Sequence, residues 1–457
     1  MNLVNAIILV YLLLVMGIGI WAGRNIKSLS DYAVAGRSFG AMVIFFTLAA
    51  SFIGGGFSMG NAERVFLVGV ANIVALWGFS FKELWVARYV APRMGRYSKA
   101  ISVGDIMAIH YGTVAKVFSG FFGFILCAGI LGAQIGATGY VFNVFLGIDR
   151  LWGIVIGCGI VITYATLGGM RAVVWTDVVQ FIILAIGIPL TLVFGVIQAG
   201  GIGAVVEAVP AEHFRLPTEP LALVALVSLF LTFVLGETLV PPYLQRLLIG
   251  KNPKQVARGT LYSGLFSIPF FAITGMIGLV ALALNPELNP NLAMPYVIQQ
   301  SLPLVLQGLV AAAVLAIIMS SADSFLNAAS ICFMNDVIKP LTPPAESSAM
   351  NLRLARLVTF VVGILAVVFA ISIESVLDIL IYSYNFWAPI ILVPLVAGIM
   401  GYRATSIRFI FGAGAGVCGV LLWSIVLGRP FGVDGLIIGV FANAIAFFAV
   451  DRRAVQE

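Results

Sequence analysis

Long apolar segments recur along the whole chain, and they restrict its fold more than any other feature. The first, LVNAIILVYLLLVMGIGIWAG at residues 3–23, carries no charge and is long enough to cross a bilayer as a helix. The chain is 61% hydrophobic and only 10% charged, whereas a soluble domain carries about 25% charged residues. The sequence therefore predicts an all-α integral membrane protein, with membrane domain along nearly its whole length.

Thirteen apolar segments are predicted to cross the membrane, and we number them span 1 to span 13. Spans 4 and 9 are longer than a bilayer requires, which predicts tilt or an extension beyond it. The predicted spans lie at residues 3–23, 39–60, 66–91, 113–146, 151–169, 172–198, 222–248, 255–284, 297–338, 353–373, 376–401, 405–427 and 433–450.

The basic residues predict which side of the membrane each loop faces. If the N-terminus is outside, 20 of the 25 lysines and arginines fall in inner loops and 4 in outer loops, as the positive-inside rule requires. The inner set includes Arg24, Lys27 and Arg246, and also Arg452 and Arg453 after span 13. We therefore predict a multi-pass protein of the cell membrane whose N-terminus is outside and whose C-terminus is cytoplasmic.

Two predicted spans contain helix-breaking residues. Span 2 contains three consecutive glycines at residues 54–56, and span 7 contains Pro241 and Pro242. Broken helices in a membrane are tolerated where they line protein or a watery cavity. The starts of the two spans are five spans apart, so the pattern predicts two inverted five-helix repeats, spans 2–6 and 7–11, with a transporter binding site at the paired breaks.

A single transmembrane transporter domain over residues 1–457 is the predicted organisation. Within it we expect an N-terminal helix and inner loop at 1–38, a first repeat at 39–198, a second repeat at 222–402 and two C-terminal helices at 403–457.

The composition disfavours several other classes of function. The four cysteines all fall in apolar segments and the two histidines fall in predicted loops, which disfavours disulfides, metal sites and a histidine proton relay. We therefore expect no metal site built from these residues, and we also expect no organic cofactor and no enzymatic activity. No nucleic-acid partner is expected, because most basic residues fall in short loops.

Five ionisable residues lie within the predicted spans: Lys82, Glu83, Asp177, Glu237 and Asp323. Each is a candidate for function, because a charge inside the membrane is costly. Lys82 and Glu83 are adjacent, and adjacent helical residues do not face each other. Each is therefore expected to find a partner elsewhere, or Lys82 to extend toward the inner surface.

Span 9 contains the polar run MSSADSFLNAAS at residues 319–330. Ser320, Asp323 and Ser324 share one helical face at spacings of three and four residues. Their oxygens suit a hard cation. The alternative is that the serines bond back to carbonyls one turn earlier and the aspartate caps a local kink.

Four other residues inside the spans leave alternatives open. Asp177 either binds an ion or complements the dipole of its helix. Glu237 either contacts solute or satisfies backbone donors that the Pro-Pro break frees. Phe52, next to the glycine break, and Tyr384, in span 11, either line a pocket or belong to the core.

Three stretches resemble motifs of the sodium:solute symporters. They are GGMRAVVWTDVVQ at 168–180, MSSADSFLNAASICFMNDVIK at 319–339 and AASFIGGG at 49–56. The resemblance extends over essentially the whole chain. It implies a LeuT-like fold and sodium-coupled uptake of a small solute by alternating access, with one chain sufficient for transport in the lipid bilayer.

The resemblance also implies one sodium site and a possible second cation site. The first would be formed by the carbonyls of Ala50, Ile53 and Ile317 and the hydroxyls of Ser320 and Ser321. The second would be formed by Asp177, the aspartate of the WTD motif, together with Ser320 and Ser324. The adjacent Asp323, at a position that is not acidic in all members of the family, either adds a carboxylate to this second site or holds something else.

The identity of the solute is not predicted. The motifs are most similar to the high-affinity choline transporter branch of the family, in which tryptophans cage the quaternary ammonium. The matching positions here are Phe52 and Val240, which make a poor cage. The expected solute site is formed by Phe52, Gly54, Gly55, Gly56, Glu237, Val240, Tyr243 and Tyr384.

Two other functions compete with sodium symport. One is proton coupling through Asp177 or Asp323 on the same scaffold. The other is a membrane sensor that binds solute without transporting it.

Overall fold

A computed structural model describes residues 3–23, 29–342, 348–372 and 376–449. Within these ranges the chain forms helices and no β-strand, and an isolated bridge pairs Phe39 with Gly250. Four basic residues assigned to the inner side, Arg24, Lys27, Arg452 and Arg453, lie outside the described residues, as does the C-terminal end.

The α-helices follow the predicted spans in order. They are α1 (Leu3–Gly23), α2 (Leu29–Val34), α3 (Ala41–Phe52), α4 (Gly55–Val68), α5 (Ala71–Tyr89), α6 (Val103–Leu146), α7 (Arg150–Gln198), α8 (Ile202–Ala208), α9 (Pro220–Gly236), α10 (Pro241–Leu248), α11 (Pro253–Leu284), α12 (Ala293–Ser301), α13 (Leu304–Ile331), α14 (Lys339–Leu341), α15 (Ser348–Ser372), α16 (Val376–Tyr384), α17 (Val393–Met400), α18 (Ser406–Leu421) and α19 (Gly435–Ala449).

Short 3-10 and π-helical segments extend or connect these helices. The 3-10 segments are Ala35–Arg37, Ala91–Tyr97, Ala211–Phe214, Pro290–Leu292 and Pro430–Gly432, and the π-helical segments are Cys332–Ile338, Ala388–Leu392 and Leu422–Val426.

Among the described residues, 8 helices are apolar and long enough to cross a membrane, and the number rises to 10 when each sharply bent pair counts as one span. The other three predicted spans correspond to α5, which carries buried charges, and to two shorter apolar helices, Arg150–Thr163 within α7 and Gly435–Ala449. Spans 5 and 6 meet within α7 at Gly169, whose φ of 50° is in the left-handed region that glycine tolerates.

Both predicted breaks are present as sharp bends. The helices α3 and α4 meet at 50°, and α9 and α10 meet at 49°. The second break includes Leu239, whose φ of 56° is unusual for a residue with a branched side chain. Such local strain persists only where the surrounding packing holds it.

The centre of the molecule is α13, which packs against α1, α3, α6 and α7. Every residue of α13 from Val310 to Ile331 is buried. This helix is therefore enclosed by protein, and the polar run of span 9 lies where both breaks can reach it.

Candidate functional site

The predicted first sodium site lies where α13 passes the break between α3 and α4. Ser321 donates hydrogen bonds to the Ser51 carbonyl at 2.7 Å and to the Ile317 carbonyl at 3.2 Å. The last carbonyls of a helix have no amide partner within it, so α3 presents free oxygens here. Ala50, Ile53, Ile317, Ser320 and Ser321 are all at most 1% exposed, and the structure brings their elements together.

Gly54 allows this close approach. A methyl group added at this position would lie 2.2 Å from Ser321 Oγ and 2.8 Å from Gln134 Oε1. The next amide, that of Gly55, donates to Gln134 Oε1 at 2.7 Å. The break is thus held between α13 and α6 through contacts that a side chain would prevent.

The oxygens predicted for the second cation site also converge. Ser320 donates a hydrogen bond to Asp177 Oδ1. Ser51 Oγ lies 3.1 Å from Asp177 Oδ2, from Ser320 Oγ and from Ser324 Oγ. The serines also bond back along their own helix, since Ser324 donates to the Ser320 carbonyl at 2.6 Å. The structure thus contains serine bonds to carbonyls one turn earlier as well as converging oxygens, and a cation site here stays a prediction.

A cation from the chain itself lies among these oxygens. The Nη2 atom of Arg246 is 3.1 Å from Asp177 Oδ2 and 2.5 Å from Ser324 Oγ, and it also donates to Ser51. Its Nε atom donates to Thr47 Oγ1 at 3.0 Å. Arg246 and Asp177 are both fully buried. The guanidinium thereby links α3, α7, α10 and α13.

The assignment of Arg246 to an inner loop is therefore wrong. Its position four residues after Pro242 placed it near the predicted end of span 7, but α10 is tilted at the break and turns this residue inward. Sequence reasoning also missed Thr47 and Ser51. Their spacing of four residues in α3, directly before the break, is a signal that could have identified them.

Asp323 lies at the edge of this network. Ser324 Oγ is 3.1 Å from its Oδ1 atom. Asp323 is fully buried. Asp177, by contrast, pairs directly with Arg246.

The residues predicted to contact solute collect around the two breaks. Phe52 packs edge-to-face against Tyr243, with ring centroids 5.2 Å apart. Glu237 ends α9 and Val240 precedes α10, and both are at most 2% exposed. The ring of Tyr384 lies directly against the backbone of residue 236. Gly56, by contrast, packs on Leu380.

Lys82 and Glu83 differ from their prediction. Lys82 Nζ lies 2.9 Å from Glu83 Oε1, and the two side chains are 1% and 0% exposed. The lysine does not extend to the surface. Its ammonium lies over the rings of Phe79 at 3.8 Å, Tyr243 at 4.3 Å and Phe52 at 5.7 Å from the centroids. Both residues therefore belong to the cluster at the breaks.

Ion pairs also connect the helices on either side of the breaks. Arg64 of α4 pairs with Asp378 of α16, both side chains being about one-third exposed. In a second cluster, Lys116 Nζ lies 2.7 Å from Asp105 Oδ1 and 4.0 Å from Asp336 Oδ1. This second cluster joins the start of α6 to the π-helical segment after α13.

Comparison with known proteins identifies the family. The model of the "Sodium:solute symporter family" matches residues 32–416. The chain is 27% identical to the "High-affinity proline transporter PutP" of Bacillus subtilis, with 89% of each chain covered. It is also 27% identical to the "High-affinity choline transporter 1" of Drosophila melanogaster, where 84% of this chain matches but only 63% of the fly protein's length is spanned.

Solved structures show the same fold. A Na⁺-coupled sialic acid symporter in a substrate-bound outward-open state superposes with a TM-score of 0.82 at 21% identity, covering 99% of this chain and 98% of the other. A nucleobase-cation-symport-1 family transporter in a closed conformation superposes with a TM-score of 0.61 at 15% identity, covering 92% and 94%. The predicted all-α, LeuT-like membrane fold is thereby confirmed. The family model covers most of the chain, and the chain belongs to the sodium:solute symporter family.

Proposed function

We propose that this protein is a sodium-coupled symporter that imports a small organic solute by alternating access. The observation that carries the proposal is the hydrogen bond from Ser321 Oγ to the Ser51 carbonyl at the break after α3. It brings a hydroxyl and free carbonyl oxygens together in a buried place, and such oxygens suit a hard monovalent cation. Sodium bound there would join α3 to α13. The names of the relatives, which transport choline, proline or sialic acid, are consistent with a small solute.

The coupling ion is proposed to bind among the oxygens of Ala50, Ile53, Ile317, Ser320 and Ser321. The neighbouring carboxylate of Asp177 is neutralised by Arg246 at 3.1 Å. Two cations close together in a medium of low dielectric repel strongly. A second sodium bound by Asp177, Asp323 and the serines would therefore require the guanidinium to move away. We accordingly assign the main coupling role to the first site.

Replacing Ser321 by alanine tests this site. Ser321→Ala removes one proposed ligand, and the apparent affinity for sodium should fall about tenfold, equal to about 1.4 kcal/mol. The readout is thermal stabilisation of the purified protein by NaCl titrated against KCl at constant ionic strength, because a ligand of the folded state raises its unfolding temperature.

Ser330→Ala is the matched control. Ser330 is also fully buried on α13 and donates to the Ala355 carbonyl at 2.8 Å, away from the break. Its replacement should lower the unfolding temperature but leave sodium affinity unchanged. Equal sodium affinity in wild type and Ser321→Ala would show that the ion is misplaced, and wild-type uptake driven by acid without sodium would favour the proton-coupled alternative.

The orientation of the chain is a further part of this proposal. We place the N-terminus outside and the C-terminus in the cytoplasm of a cell with this protein in its plasma or inner membrane. Arg215 lies in an exposed loop assigned to the outside, and Lys254 is exposed at the start of α11, at the end assigned to the inside. A cysteine introduced at position 215 should react with an impermeant maleimide in intact cells, and one introduced at position 254 should react only after lysis. The reverse pattern would place the N-terminus inside the cell.

A further inference from the structure

The ammonium of Lys82 lies where an aromatic cage would hold a cationic solute. Three rings surround it, those of Phe79, Tyr243 and Phe52, with centroids 3.8 to 5.7 Å from Nζ. Aromatic faces attract cations, and such cages serve elsewhere to bind quaternary ammonium ligands. Here the chain's own cation takes that place. The cluster therefore presents a positive charge to the solute and disfavours a purely cationic one.

The partner of this ammonium is held in a weak geometry. Lys82 Nζ and Glu83 Oε1 are 2.9 Å apart, yet among the described residues neither the ammonium nor either oxygen of Glu83 makes a hydrogen bond. A buried charge without hydrogen bonds is costly. An incoming carboxylate with better alignment can therefore compete with Glu83 for Lys82.

A second polar end of the cluster, the carboxyl group of Glu237, lies at the break between α9 and α10. In the part of the chain that the structure describes, Glu237 Oε2 and the hydroxyls of Tyr243 and Tyr384 have no hydrogen-bond partner, although all three residues are buried. Among the described residues, the cluster contains the carboxyl groups of Glu83 and Glu237 and the ammonium of Lys82. The Arg246 guanidinium also lies over the Phe52 ring, 5.6 Å from its centroid, but it is paired with Asp177.

We propose that the transported solute is a small zwitterion, an amino acid or a related ammonium carboxylate. Its carboxylate binds Lys82, and its ammonium group binds Glu237 beside Tyr384. A solute with both charges satisfies both poles of the cluster, whereas a neutral polyol leaves the charges unpaired. This inference rests on the proposed symport function, since it names the solute of the same site.

The test uses purified full-length protein in NaCl, with thermal stabilisation as the readout. The probes are the neutral L-amino acids and glycine betaine, each compared with an analogue that lacks the carboxylate, such as prolinol for proline and choline for betaine. D-glucose serves as the neutral probe. At least one zwitterion should stabilise the protein, while its carboxylate-free analogue and glucose should not.

Variants then test whether Lys82 is the group that binds the carboxylate of the solute. Lys82→Met should weaken binding of the stabilising zwitterion by at least about thirtyfold, as expected when one partner of a buried charge pair is removed, and Lys82→Arg should retain more of it. Lys254→Met is the control, because Lys254 is exposed at the start of α11. Sodium alone should still stabilise all three variants.

The outcomes separate this inference from the symport proposal. Three results would overturn the zwitterion assignment, even where sodium stabilises the protein. The first is stabilisation only by glucose or by a carboxylate-free cation, and the second is stabilisation by no member of the panel. The third is a zwitterion that stabilises wild type and Lys82→Met equally. Binding of a zwitterion that needs Lys82 but occurs equally in KCl supports the assignment and contradicts sodium coupling. If Lys82→Met does not fold, the assignment is tested with Glu237→Gln and with the wild-type comparison of each zwitterion and its analogue. Weaker zwitterion binding in Glu237→Gln, together with no stabilisation by the analogue, supports the assignment, and the opposite result in either measurement contradicts it.

Discussion

At the scale of single residues, the main feature is the buried pair of Asp177 and Arg246. Taking two charges out of water is costly, and their attraction compensates only when hydrogen bonds satisfy the remaining donors and acceptors. Here Thr47, Ser51 and Ser324 supply those bonds. Removing one partner should therefore lower the stability of the fold much more than removing both partners together.

A double-mutant cycle measures this sensitivity. Arg246→Gln leaves a buried carboxylate without its countercharge, so we expect a loss of about 3–5 kcal/mol in stability. Adding Asp177→Asn should recover most of that loss, because the variant then buries neutral amides. The measurement is the unfolding temperature of each variant in detergent. Additive losses in the double variant would show that the two residues do not stabilise one another.

At residue level, a motif fixes where its side chains lie along a helix, while the role of these residues in binding an ion stays a prediction. Asp177, Ser320 and Ser324 converge as their motifs indicate. Arg246 and Lys82 were misjudged because their direction depends on packing between helices. Hydropathy places a residue along the membrane normal but does not say which way a bent helix turns it.

At the scale of helices, Gly54 controls the contact between the break of span 2 and α13. In Gly54→Ala the new methyl group would lie 2.2 Å from Ser321 Oγ, so α13 must shift. We expect a stability loss of about 1–3 kcal/mol together with weaker sodium binding, measured by thermal unfolding in NaCl and in KCl.

Gly159→Ala is the control for this helix-level change. A methyl group there meets no atom within 4 Å, and alanine favours helix more than glycine does. Stability should be unchanged or slightly higher, with normal sodium affinity. If Gly54→Ala behaves in the same way, close packing at the break is not needed for the ion site.

The order of spans and both bends were predictable because apolar length and helix-breaking residues act locally along the sequence. The exact form of the bends was not. Leu239 adopts a positive φ that no local propensity favours, and the kink at Gly169 joins two predicted spans into consecutive segments of α7. The conformation of Leu239, which is fully buried, depends on the packing around it.

At the scale of the whole molecule, ion pairs connect helices at different levels around the buried site. Arg64 and Asp378 lie nearer the surface, about one-third exposed, and Arg246 lies in the interior. The cluster at the breaks is also buried, since each of its members is at most 2% exposed: Phe52, Lys82, Tyr243 and Glu237. At the solute site that we propose, a solute can therefore enter or leave only when some of these connections break.

Arg64→Gln tests the pair nearer the surface. Because partly exposed ion pairs contribute little, we expect stability to change by less than about 1 kcal/mol. Sodium should nevertheless bind faster, since α4 and α16 separate more easily. Stopped-flow tryptophan fluorescence after mixing with NaCl measures the rate. Arg215→Gln, in an exposed loop, is the control, and equal rates in the two variants would mean that the pair does not limit access.

The pairing of Asp177 with Arg246 also constrains how the protein is made. The two residues are 69 positions apart, so the ribosome delivers the carboxylate of α7 to the membrane before its arginine exists. Until α10 arrives, the first repeat holds an uncompensated charge in its interior. The first repeat therefore reaches its final packing only together with the second, and a fragment that ends in the loop at residues 199–219 should be retained by chaperones or degraded.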